Sequence, residues 1–213
     1  MDSTENLKEA FIILLASLIL SLSISFKNTE ILYVSMVSFL IILSTNALTK
    51  KIVGNMFEID VKTTFWKWYR FGFRRDSHFK KPVPMAWLPI ILSLFTRGSV
   101  WWLAILEFEA VAKTERVSKK HGLYRFSEVT EWHMGLIAMW GIITNIVLAI
   151  IGYAAGQELF AKIAIYYSVW SILPISSLDG TKILFAGRAL WLTMAIISVM
   201  LISVMFLGWG LII

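Results

Sequence analysis

Apolar positions gather into long runs, and charge is pushed into the gaps between them. The first run, Ala10 to Phe26, follows a short head containing Asp2, Glu5, Lys8 and Glu9. A cleaved signal peptide wants a basic head and a small-residue cleavage site, so the run reads as a retained membrane helix without signal-peptide cleavage. A polar break from Lys27 to Glu30 leads into Ile31 to Leu48, which Thr49, Lys50 and Lys51 close. The C-terminal half holds three further runs, Met134–Ala155, Leu159–Ile175 and Ala189–Ile213. Each has about the length that a hydrocarbon layer of roughly 30 Å asks of one helical crossing.

Between the second and third runs the pattern changes character. Residues 52–81 mix β-branched and aromatic side chains with charge, as in Ile59, Val61, Thr63, Phe65, Trp66 and Tyr69, which suits short strands or an interfacial platform rather than a span. Pro82 and Pro84 then open Met85–Phe95, Arg97 and Gly98 interrupt it, and Val100–Ala112 continues it. Neither half can cross alone, so the segment 82–112 reads as a re-entrant or interfacial hairpin. The expected fold class is an all-α membrane protein with about five transmembrane helices, this hairpin, and a small strand-like cytoplasmic loop. Residues 1–30 form an N-terminal transmembrane helix. Residues 31–188 form a membrane core containing the basic segment 50–81, and residues 189–213 a C-terminal transmembrane helix.

Composition agrees with that pattern. The chain of 213 residues is 58% hydrophobic and 16% charged, against about 25% charged in an ordinary soluble domain. Cysteine is absent, which excludes disulfides, thiolate metal sites and cysteine nucleophiles. The net charge of +6 is concentrated: residues 50–81 carry nine basic and three acidic side chains, an excess equal to that of the whole chain. The loop 113–131 carries five basic and three acidic. The positive-inside rule puts both on the cytoplasmic side, which makes the N-terminus cytoplasmic and the protein multi-pass. The basic loop then meets a bilayer with anionic headgroups, and the ten tryptophans serve mainly as interfacial anchors. No motif for nucleic acid accompanies the charge.

Chemistry concentrates at the end of the fourth run. Ser171-Ile-Leu-Pro174-Ile-Ser-Ser-Leu178-Asp179-Gly180 ends an apolar stretch on a carboxylate, an expensive placement that asks for a reason. This resembles the N/S-x-x-P-x-x-x-L-D-G signature of the site-2 protease family of intramembrane zinc metalloproteases. Upstream, Gly141-Ile-Ile-Thr-Asn145-Ile-Val-Leu-Ala149 is similar to that family's G-P-x-x-N-x-x-x-A helix. Together the matches cover roughly residues 31 to 188. The resemblance implies an earlier helix carrying H-E-x-x-H, two histidines on zinc with a glutamate as general base, and the LDG aspartate as third ligand.

The matching helix end here is Asn46-Ala47-Leu48-Thr49-Lys50. Asn46 is a poor zinc ligand, Ala47 cannot shuttle a proton, and Lys50 is a donor-only cation that repels a metal. The resemblance therefore implies a non-catalytic relative that needs no cofactor and binds or presents a transmembrane segment of a protein partner. Its groove and core would be built on Asp179, Gly180, Pro174, Asn145, Asn46 and Lys50. Asp179 would cap the next helix or pair with Lys182 or Lys50. Two alternatives stand beside this. In one, the chain is an active zinc metalloprotease whose ligands have moved to His133, Glu131 and Asp179, with Glu128 one turn before Trp132-His133. In the other it is a structural or channel-like subunit of a membrane complex.

Overall fold

A computed structural model describes residues 3–70, 78–113 and 129–209. Helix α1 (Ser3–Ile24) and helix α2 (Leu32–Met56), joined by a short 3-10 turn at Thr29–Ile31, pack antiparallel. Strands β1 (Ile59–Phe65), β2 (Lys67–Arg70) and β3 (His78–Pro84) follow, then the short helix α3 (Leu88–Phe95) and strand β4 (Leu106–Ala112). The C-terminal part is helical: α4 (Glu131–Ala154), α5 (Glu158–Ile172), α6 (Asp179–Ala186) and α7 (Arg188–Trp209).

Among the described residues four helices are long and apolar enough to cross a membrane: Glu5–Ile24, Thr29–Met56, Glu131–Ala154 and Arg188–Met205. Four replaces the five expected. The run Leu159–Ile175 yields only the 15 residues of α5, about 22 Å at 1.5 Å per residue and short of a roughly 30 Å layer. Pro174 explains the early stop, because the residue before a proline is driven out of helical geometry. Leu173 is extended accordingly, with ψ 128°.

The fold is mostly helical, and the all-α expectation is corrected by two small sheets. β1 pairs antiparallel with β4, Ile59 opposite Ala112 and Phe65 opposite Leu106, while β2 pairs antiparallel with β3. Strand character was expected for 52–81 but not for the arm 100–112. There Leu106-Glu-Phe-Glu-Ala-Val-Ala alternates at the strand period of two, and it pairs with β1 instead of folding back as an apolar arm.

The excursion between them returns to its start. Met85 N–H donates to Trp66 O (3.0 Å) and Trp66 N–H to Ile105 O (2.8 Å), so both ends of 85–105 are fixed at one residue. Its far tip turns at Arg97 and Gly98, which adopt φ of 52° and 71°. Ser23 Oγ on α1 donates to Pro89 O (3.1 Å) and shares a hydrogen bond with Ser93 Oγ (2.6 Å). Lys27 Nζ, just past α1, reaches Ser99 Oγ at 3.2 Å.

At the opposite end of α1, Glu9 pairs with Lys51 and accepts a hydrogen bond from Thr63 N–H (3.3 Å), and Glu5 pairs with Lys62 (2.7 Å). The start of α1 is thereby tied to the end of α2 and to the outer edge of β1. One core joins α1, α2, the excursion and α5 through Leu20, Phe39, Ile42, Leu103 and Ile163. A second joins the sheet to α4, α6 and α7 through Val61, Phe108, Ile137, Ile142, Ile183 and Met194. The candidate site lies where α2, α4, α6 and β4 meet.

Candidate functional site

Asn46 and Lys50 stand one turn apart on α2, which puts them on one face. Both are buried, as is Ala47. A lysine fits there because α4 presents Gly141: a Cβ on that residue would lie 2.6 Å from Lys50 Cε and 3.1 Å from Asn46 Nδ2. Asn46 Nδ2 donates to Gly141 O at 2.9 Å. The polar end of α2 is thus seated on bare α4 backbone.

Asp179 enters from the first turn of α6, where a carboxylate also meets the positive end of the helix dipole. Lys50 Nζ donates to Asp179 Oδ2 at 2.5 Å, with the two side chains only 7% and 5% exposed. Gly180 beside it is required by space, since a Cβ there would strike the backbone carbonyls of Ile172 and Leu173. Pro174 is exposed in the turn between α5 and α6. Asn145, one turn beyond Gly141, is fully buried, and among the described residues neither of its amide atoms has a hydrogen-bond partner. The structure therefore brings Asn46, Lys50, Asp179 and Gly180 together with α4, and leaves Pro174 on the rim.

Three residues that the sequence reading did not single out complete the cluster. Lys182, one turn after Asp179 and named there only as an alternative partner, donates to Phe108 O at 2.5 Å. It also lies 3.5 Å from the centroid of the Phe108 ring. Lys50 Nζ approaches the same ring at 5.1 Å, within cation–π range. Glu107 is buried on β4 and accepts a hydrogen bond from the Ser177 hydroxyl. Burial pushes the Lys182 ammonium down to about 8, opposed by Asp179, and raises the Glu107 carboxyl, opposed by the Ser177 hydroxyl. Lys50 and the half-buried Lys182 thus both approach the Phe108 ring beside the buried Asp179, with Glu107 on the same strand bound to Ser177. The signal for Glu107 was present in the sequence: it is an acid inside an apolar run, at an alternating position.

The donor set at the three aligned positions does not fit zinc. A tetrahedral site draws on thiolate, imidazole or carboxylate. Here Asp179 is the one carboxylate among them, and its Oδ2 already accepts from an ammonium. The alternative set fares no better. Glu131 is exposed in the first turn of α4, while His133 Nδ1 is hydrogen-bonded to Thr130 Oγ1 and its ring lies edge-on to Phe57 at 5.1 Å. Among the described residues no three His, Asp or Glu side chains gather as a metal-holding group. His121 and Glu128 lie outside the described residues.

A cleft of about 390 Å³ lies between α1 and α2, walled by Ala10, Ile13, Leu14 and Leu40 and closed at its polar end by Glu9 and Lys51. The chemistry of the charged layer is that of a lock between helices. Lys50 and Asp179 face one another at its centre, both buried. Comparison with family models, with curated proteins and with solved structures returns no match for this chain.

Proposed function

We propose that the protein is a multi-pass membrane protein with a site-2-protease-like core, N-terminus in the cytoplasm, that binds or presents a membrane segment of a partner without cleaving it. The observation that carries this reading is the buried Lys50–Asp179 pair. The carboxylate that the resemblance assigns to a metal is held instead by an ammonium, from the position where the resemblance expects a histidine. An ion pair of this kind needs no cofactor, and it fastens α2 to α6 as a metal would. The cleft between α1 and α2 offers an apolar wall of Ala10, Ile13, Leu14 and Leu40 against which a partner segment would pack.

The test is photo-crosslinking in native membranes with a reactive side chain at Leu48, on the cleft, and another at Val204, on the far end of α7. Capture of a discrete intact membrane protein from Leu48 and not from Val204 supports the reading. Recovery of a cleaved partner fragment, lost on chelation, returns the protein to the proteases.

A further inference from the structure

The hairpin β2–β3 is not explained by the charged layer or by the cleft. Residues 67–84 carry six basic side chains against Asp76 alone. Within the described strands Lys80 and Lys81 are exposed, and Tyr69 and Phe79 are 43% and 41% exposed beside them, with Val83 on the same ribbon. The ladder is short and irregular: Lys67 faces Pro84, Trp68 faces Val83, and the register shifts before Arg70 meets His78. Pro82 and Pro84 withhold two N–H donors from it. A two-stranded ribbon of this size is marginal in water, and this one turns aromatic and aliphatic surface outward.

Its height on the molecule is fixed by its root. Trp68 packs on Trp66 at 5.4 Å between ring centroids, and Trp66 is buried against Leu178, the neighbour of Asp179. Lys67 lies within electrostatic reach of Glu107 in the charged layer. That layer and the Glu9–Lys51 pair mark where the apolar stretches of α1 and α2 end. Trp87, 59% exposed, follows directly after the hairpin. Lysine beside aromatic rings at the end of apolar helices is the composition of the headgroup zone.

We infer that the β2–β3 hairpin is a lateral foot that lies in the cytoplasmic headgroup layer and binds anionic phospholipid, Lys67, Lys80 and Lys81 meeting phosphate while Tyr69, Phe79 and Val83 enter the acyl boundary. The inference rests on the membrane reading above. Each lysine near an anionic surface multiplies the docked-to-free ratio of the hairpin by about fivefold.

Because the chain has no cysteine, Val83→Cys carries a single environment-sensitive fluorophore on the full-length protein, and Tyr33→Cys, at the other end of α2, carries the reference. The protein is reconstituted in vesicles of phosphatidylcholine alone and of phosphatidylcholine with about one third phosphatidylglycerol, and insertion is verified by resistance to alkaline extraction. The Val83 label should shift to the blue only with phosphatidylglycerol, lose that shift in high salt and in a K67E/K80E/K81E background, and leave the Tyr33 label unchanged. Equal emission in the two lipids, with the protein inserted, overturns the foot and leaves the membrane reading standing. Extraction at alkaline pH overturns both. An equal shift on adding RNA or polyglutamate to neutral vesicles also overturns it, making the hairpin a general polyanion site.

Discussion

Removing Asp179 perturbs the charged layer more than removing Lys50 does, and the structure says why. Asp179→Ala leaves the Lys50 and Lys182 ammonium groups facing one ring, Phe108, with the Lys50 side chain 7% exposed. Breaking a buried pair by deleting one partner costs about 3–5 kcal/mol. For a chain of this length each kcal/mol moves the melting point by about 2–4 °C, so Asp179→Ala should melt about 6–20 °C below wild type in detergent. Lys50→Ala leaves Asp179 with Lys182 still within electrostatic reach, and its loss should be roughly half as large. Lys50→Met combined with Asp179→Asn removes both charges, and neutralising a buried pair is often close to neutral, so the double variant should recover most of the loss. Scanning fluorimetry with and without a chelator reads all four proteins, the wild type being indifferent to chelation. The reasoning is refuted if Asp179→Ala melts within about 2 °C of wild type, if the double variant is no better than the single, or if chelation alone lowers the wild-type melting point.

Gly180→Ala should prevent recovery of folded protein, because its methyl group meets backbone carbonyls, whereas Gly156→Ala, with open space around it but φ 72°, should cost only about 1–2 kcal/mol; size-exclusion yield and melting point separate the two. Glu107 has its carboxyl raised by burial, with Lys182, Lys67 and Glu109 as its charged surroundings. Its contribution is therefore fully present below the ordinary carboxylate value near 4.5 and is lost as pH rises through the higher folded value. Glu107→Gln should flatten that part of the melting-point profile, and an unchanged slope counts against the assignment. In intact cells an impermeant amine reagent should label Lys27 and spare Lys67; labelling of Lys67 from outside reverses the proposed orientation.

The runs of apolar residues are the part of the fold that the sequence discloses, because crossing length is a matter of counting. The site was legible through two residues of opposite sign at the ends of apolar runs, Lys50 and Asp179, since each needs a partner and the chain offers few. Glu107 left the trace of an acid inside an apolar run, and Lys182 appeared only as a possible partner of Asp179; their places stayed hidden because their packing depends on β4 lying against α6, and a strand of seven residues inside a longer apolar stretch looks like a broken helix until its partner is known. The shortness of α5 was written in Pro174 and was overridden by hydropathy: the sidechains of Ile172, Leu173 and Ile175 are apolar whether or not the backbone stays helical. Asn145 was singled out on its motif, and the structure buries it with neither amide atom hydrogen-bonded among the described residues, which the motif did not foretell.

The Lys50–Asp179 pair joins residues 129 positions apart. A ribosome adding about 5–20 residues per second needs roughly 6–26 s to pass from the first to the second. For that interval α2 carries a lysine without its counter-ion. Lys50 sits six residues before the end of α2 at Met56, near enough for its long stem to carry the ammonium toward the helix end and water in the meantime. Closure of the pair then comes late in synthesis, after α5 has been made. A nascent chain stopped before Asp179 would carry the Lys50 ammonium without the carboxylate that α6 supplies, so the last quarter of the chain decides whether the first half keeps a buried charge uncompensated.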